Sequence, residues 1–236
     1  MNFLDVIIIL LILFYALNGL YRGFIPSLLN LGGFFISWII SFISYPLLSM
    51  QLVKSSFFSS LRFYIEGAEK IGDVELARLN VADIGSEQLR SIVDNAKLPT
   101  PFGSAIVDNV SSQAFKAQGI STLGEYFDTT IYYVIINIVS ILIIFIVLRL
   151  LLTLVTNAYS YSHSTPQLVH MDYPLGGAVG FVRGFFSMYL LFAVIPVILI
   201  LFMNVSFVTD IINGSLSCSV FYSGSILLRF VSGTVW

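Results

Sequence analysis

Charge is the scarcest commodity in this chain of 236 residues. Asp, Glu, Lys and Arg make up 10% of it, against 57% hydrophobic residues, with a mean hydropathy of +0.93. Soluble domains carry about a quarter charged residues, so a water-soluble globule is excluded and a polytopic membrane protein is expected. A net charge of -2 leaves no electrostatic footprint for nucleic acid. The single cysteine, Cys218, excludes an intrachain disulfide and has no metal-ligand neighbours at the usual spacing. No basic residue precedes the first apolar run, and Ala16-Leu17-Asn18 is a poor cleavage site, so that run is expected to be an uncleaved span. The membrane segments hold no Ser-His-Asp, Cys-His, zinc or paired acidic motif, so neither an enzyme nor a cofactor is expected.

What is present is four apolar runs. The first, Val6 to Leu20, reaches spanning length with Phe3 and Leu4. The second, Phe24 to Leu48, has no charge, with Pro26 in its first turn, a Gly32-Gly33 packing face, and Tyr45-Pro46 expected to mark the far interface. The third, Thr129 to Leu154, is interrupted by Asn137, Ser140 and Arg149. The fourth, Phe185 to Met203, carries Pro196, where a kink is expected. The polar residues Asn18, Asn30 and Asn137 need partners in a dry environment, and other helices or waters would supply them.

Most of the charge is confined to one place. Residues 49–128 hold seven of the eleven Lys/Arg and ten of the thirteen Asp/Glu, which marks a soluble or amphipathic insert broken into short helices by Gly72, Gly85 and Pro99-Thr100-Pro101. Glu66 and Lys70 read as an ordinary helix-face pair. The chain thus divides into spans one and two (1–48), the insert (49–128), spans three and four with a glycine-rich connection (129–203), and an amphipathic tail (204–236) expected as an interfacial helix. The fold class is all-α membrane protein, with four spans in two similar halves.

The halves share a motif. Gly19-Leu20-Tyr21-Arg22-Gly23-Phe24 and Gly180-Phe181-Val182-Arg183-Gly184-Phe185 both place a glycine three residues before Arg-Gly-Phe. Each copy is expected to be a hinge between two spans, giving Gly19, Arg22, Gly23, Gly176, Gly180, Arg183 and Gly184 as candidate functional residues. Gly176, Gly180 and Gly184 also form overlapping G-x-x-x-G spacings suited to close helix packing. Whether residues 174–184 begin the fourth helix or form a re-entrant segment is open at this point. A lone arginine among apolar residues must snorkel or be paired, which makes Asp5 and Asp172 candidate ion-pair partners; helix N-capping is the plainer account of both. His163, His170 and Asp172 match no zinc spacing.

Arg22, Arg149 and Arg183 fall on one side if the spans number four. The positive-inside bias makes that side cytoplasmic, with both termini and the insert outside.

Asn2-Phe3-Leu4-Asp5, the first glycine motif, Leu175-Gly176-Gly177-Ala178-Val179-Gly180-Phe181-Val182-Arg183-Gly184 and a serine-containing tail resemble the colicin V production protein (CvpA) family of bacterial membrane proteins. The resemblance implies a four-helix inner-membrane protein with a role in toxin production or export and in envelope homeostasis. It implies no reaction and no catalytic set; the family's glycines and arginine match the seven candidate residues above. The insert departs from the shortest members. Two function classes follow: a channel or transporter component, or a non-transporting scaffold of an export or envelope complex. Either is expected to work in the lipid bilayer as a homo-oligomer or with a membrane-complex partner.

Overall fold

The computed structural model describes residues 2–65, 67–162, 171–202, 206–225 and 227–235. Glu66, His163, His170 and Met203 therefore lie outside the described residues. The helices, in order, are α1 (Phe3–Arg22), α2 (Phe24–Lys54), α3 (Ser56–Leu61), α4 (Val74–Arg78), α5 (Ser86–Asn95), α6 (Phe102–Ser111), α7 (Leu123–Ser162), α8 (Asp172–Phe192), α9 (Ile195–Leu201), α10 (Ser206–Asn213) and α11 (Leu216–Cys218). Among the described residues extended pairing is limited to an isolated antiparallel bridge between Asn80 and Thr122. Among the described residues four stretches are each long and apolar enough to cross a bilayer: Phe3–Arg22, Phe24–Lys54, Leu123–Ala158 and Asp172–Leu201. The protein is an all-α membrane protein.

Several element boundaries differ from those expected. Pro46 does not end the second helix. The helix runs through it to Lys54, because a proline removes only its own N–H and clashes with one turn, a loss that membrane helices absorb. The third span starts earlier, at Leu123, because Thr122 and Glu125 form a reciprocal cap: Thr122 Oγ1 accepts from the Glu125 N–H at 3.4 Å and Glu125 Oε2 accepts from the Thr122 N–H at 3.2 Å. The fourth helix also starts earlier, at Asp172, and breaks after Phe192, so that Pro196 falls in the first turn of α9, where its missing N–H is harmless. The tail is helical in pieces, α10 and α11 followed by a π turn at Ser219–Ser223 and a 3-10 turn at Leu228–Phe230, rather than one interfacial helix.

The chain forms two compact units. The first comprises Met1–Tyr45, Ile141–Ala193 and Thr209–Ser225. Its outward residues on α1, Leu10, Phe14, Leu17 and Tyr21, are each at least 60% exposed and recur at helical spacing, as a lipid-facing stripe does. Inside, Phe221 stacks edgewise on Phe185 and Tyr189, each at 5.1 Å between centroids.

The second unit comprises Pro46–Ser140, Val194–Val208 and Ile226–Trp236. A segment the size of the insert has little core of its own; it borrows one from α7. Tyr126, Phe127, Ile131, Tyr132, Val134, Ile135 and Ile136 are all at most 1% exposed, so this part of α7 is apolar on every side and buried on every side. Phe102, Ile106 and Phe115 of the insert complete that core. The Ala68 N–H donates to Asp128 Oδ1 at 2.8 Å, and a Cβ on Gly67 would meet the Phe127 carbonyl carbon at 2.9 Å. The last residues are threaded into the same core: Asn109 Nδ2 donates to Gly233 O at 2.9 Å, and Asn137 Nδ2 to Ser232 O at 2.8 Å and Thr234 O at 3.0 Å. The Asn137 side-chain N–H groups thus find their acceptors in the tail backbone.

Candidate functional site: a glycine interface and an arginine cluster

The two glycine motifs meet. Within the first unit α1 lies against α8, and the glycines of one face the backbone of the other. A Cβ built on Gly19 would collide with Gly176 O and lie 2.9 Å from Gly180 Cα; one on Gly180 would collide with Tyr15 O and lie 3.0 Å from Gly19 Cα; one on Gly184 would lie 2.8 Å from Tyr15 Cβ. The contacting residues advance along α8 from Gly176 to Gly184 as those on α1 recede from Gly23 to Tyr15, so the helices are antiparallel. Backbones this close are possible only with glycine on both sides, and dispersion and weak Cα–H···O contacts then stabilise the pair where lipid offers no hydrophobic drive.

The first motif is a corner and the second is not. Gly23 separates α1 from α2 with φ of +82°, a left-handed conformation that favours glycine. A Cβ there would also collide with Asp172 Oδ2. Asp172 Oδ1 accepts from the Phe24 N–H at 3.1 Å, so the first residue of α8 secures the first free N–H of α2. The second motif lies wholly inside α8. The expectation of a hinge there is corrected, and of the two alternatives left open for residues 174–184 the start of the fourth helix is the one found: its spacings of four keep every glycine on one helix face, which serves packing and gives the chain no reason to turn.

Asp5 sits elsewhere in this unit. It is the N3 residue of α1, in a capping box whose N-cap is Asn2, rather than the cap itself. It accepts from Ser215 Oγ at 2.7 Å and from the Ser217 N–H at 2.8 Å, which ties the start of α1 to the tail. Asp5→Ala is expected to lower stability by about 2 kcal/mol, the scale of a buried, charge-assisted hydrogen-bonded group. Thermal unfolding against the Asp210→Asn control, an acidic change without those bonds, checks it.

Three arginines gather at the corner end. Arg22, at the exposed end of α1, donates to Asn157 Oδ1 at 3.5 Å. Half-buried Arg183 lays its guanidinium over the Tyr15 ring, 4.7 Å from its centroid. Half-buried Arg149 donates through Nη2 to Asn30 Oδ1 at 3.1 Å, and its Nη1 would lie 3.1 Å from a Cβ on Gly33. Arg22, Arg149 and Arg183 are near enough to act on one another electrostatically. Arg149 Nη1 and Arg183 Nε are buried atoms that have no hydrogen-bond acceptor among the described residues. Two buried cationic donors left open are costly, on the order of 1–3 kcal/mol each.

Sequence reasoning ranked Arg22 and Arg183 together with the glycines but used Arg149 only to orient the chain, and it missed Tyr15 and Asn30 as arginine partners. The signal for Tyr15 was its spacing: Tyr15, Gly19 and Gly23 recur every four residues on one face. Within α2 two buried hydroxyls are satisfied by their own helix. Ser37 donates to Gly33 O at 2.8 Å and Ser41 to Trp38 O at 2.7 Å. In the second unit an open cleft of about 500 Å³ is lined by Glu69, Asp73, Arg78, Glu125 and Asp128, of which Asp73, Glu125 and Asp128 each accept from a backbone N–H. Among the described residues no three His, Cys, Asp or Glu side chains converge as metal ligands.

Residues 4–73 match the family model described as Colicin V production protein, which supports the family resemblance over α1, α2 and the start of the insert. The α8 glycines lie beyond the matched segment. No curated protein and no solved structure matches the chain.

Proposed function

Taking the match to the colicin V production protein family as the premise, we propose that this chain is a bacterial inner-membrane subunit serving production or export of a colicin V-type toxin and envelope homeostasis. It does so as a channel or transporter component and catalyses no reaction. The observation that supports this is the pair Arg149 and Arg183. An ionisable group within a membrane helix is expensive and usually functional, and each of these two keeps a buried N–H donor that has no acceptor among the described residues. Four helices enclose little space, so the working unit is a homo-oligomer or a complex with another membrane protein. The corner carrying Arg22 faces the cytoplasm by the positive-inside bias, and the insert faces the opposite side.

Reconstitution of the purified chain with a panel of ions and small solutes tests the reading. Wild type should conduct or carry at least one solute. Arg183→Ala should cut that flux by at least tenfold at equal incorporation, as loss of one charged transition-state contact does, while Arg90→Gln in the insert should not. A second reading, a non-transporting scaffold, is favoured by the α1–α8 interface, which is closed backbone against backbone. It requires no flux from wild type and crosslinks from exposed insert residues such as Phe57 and Tyr64 to a second protein.

A further inference from the structure

We infer that Arg149 and Arg183, with Arg22 above them, form a binding site for a phosphate group, and that the phosphate is that of an anionic lipid headgroup. Three features converge. Three cations stand together in one unit, met by an aromatic ring and side-chain amides. Two of their N–H donors, Arg149 Nη1 and Arg183 Nε, are shut off from water and have no acceptor among the described residues. Two guanidinium forks with open donors are what a tetrahedral oxyanion with several acceptor oxygens would satisfy.

Depth selects the source. Arg183 lies over Tyr15, which is seven residues up α1 from Arg22, or about 10 Å at 1.5 Å per residue. The cluster therefore runs from the helix end to roughly the base of a headgroup layer, and the flanking faces of α1 and α7 are exposed and apolar, with Leu17, Leu150 and Leu154 each over 60% exposed. Acyl chains would lie along those faces while the phosphate reaches the arginines. The inference uses the same cluster as the transport reading but does not require flux. Binding without flux would remove the transport reading and leave this one; flux without binding would do the reverse.

The test is native mass spectrometry of the full chain in non-ionic detergent with equal amounts of dioleoyl phosphatidylglycerol and dioleoyl phosphatidylcholine, and separately with inorganic phosphate. Wild type should retain phosphatidylglycerol about tenfold more than phosphatidylcholine, the Arg149→Gln/Arg183→Gln double variant should show no preference, and Arg90→Gln should behave as wild type. Stabilisation by inorganic phosphate alone, lost in the double variant, would keep the phosphate site and overturn its assignment to lipid. Equal retention of both lipids by wild type with no effect of phosphate, or a double variant that binds like wild type, would overturn the site altogether. Should the double variant not fold, the wild type decides. Phosphatidylglycerol should protect the exposed Arg22 from phenylglyoxal, read by peptide mapping, and lack of protection would overturn the inference.

Discussion

Gly180→Leu is expected to push α1 away from α8 and to lower the stability of the purified chain by about 3 kcal/mol, the upper end of the cost of overpacking. The magnitude follows from what the new side chain would strike. Flexible side chains give way cheaply, but here the first carbon alone collides with Tyr15 O and lies 3.0 Å from Gly19 Cα, and backbone yields only if a helix moves. The contrast is Gly32→Ala, where a Cβ meets nothing within 4 Å. That change should be neutral or gain up to about 1 kcal/mol from helix propensity. Thermal midpoints of the two variants in the same detergent read the difference, and similar midpoints would mean that the glycines do not face each other.

Removing residues 231–236 is expected to loosen the second unit almost as much. The deletion takes away Val231, which is 8% exposed, and the carbonyl acceptors of two buried amides, Asn109 and Asn137. A buried donor left without its partner costs about 1–3 kcal/mol, so the two together cost roughly 3 kcal/mol even if one finds water. Amide exchange should then speed up about a hundredfold over residues 102–111 and 129–138, the segments that the tail covers. Exchange in α1 and α8 should not change, since the deleted residues belong to the other unit.

How much of this was legible beforehand depends on the range of the interaction. The four apolar stretches were, because a bilayer imposes a length and a composition on each helix separately. The glycine spacing was as well, and it marked the right residues. What a linear reading could not supply was that Gly19 and Gly180 are neighbours, since a G-x-x-x-G face does not name its partner. Reading the α8 motif as a hinge followed from treating two similar strings as two similar shapes; the string turns at Gly23 because φ is positive there, and no such residue occurs in α8. The insert looked coreless because much of its core, Ile131 to Ile136, is written in the sequence as part of a span. Asp5 and Ser215 are 210 positions apart, and no local pattern connects them.

The account rests on the antiparallel contact of α1 with α8. Its most direct test replaces Cys218 by serine and introduces cysteine pairs for oxidative crosslinking in membranes. A Cβ on Gly177 would lie 2.7 Å from Leu20 Cγ, so Leu20→Cys with Gly177→Cys should join within minutes under mild oxidation, while Ile9→Cys with Gly177→Cys should remain reduced. Joining of the Ile9 pair and none of the Leu20 pair would contradict the antiparallel interface and the arginine cluster assembled on it.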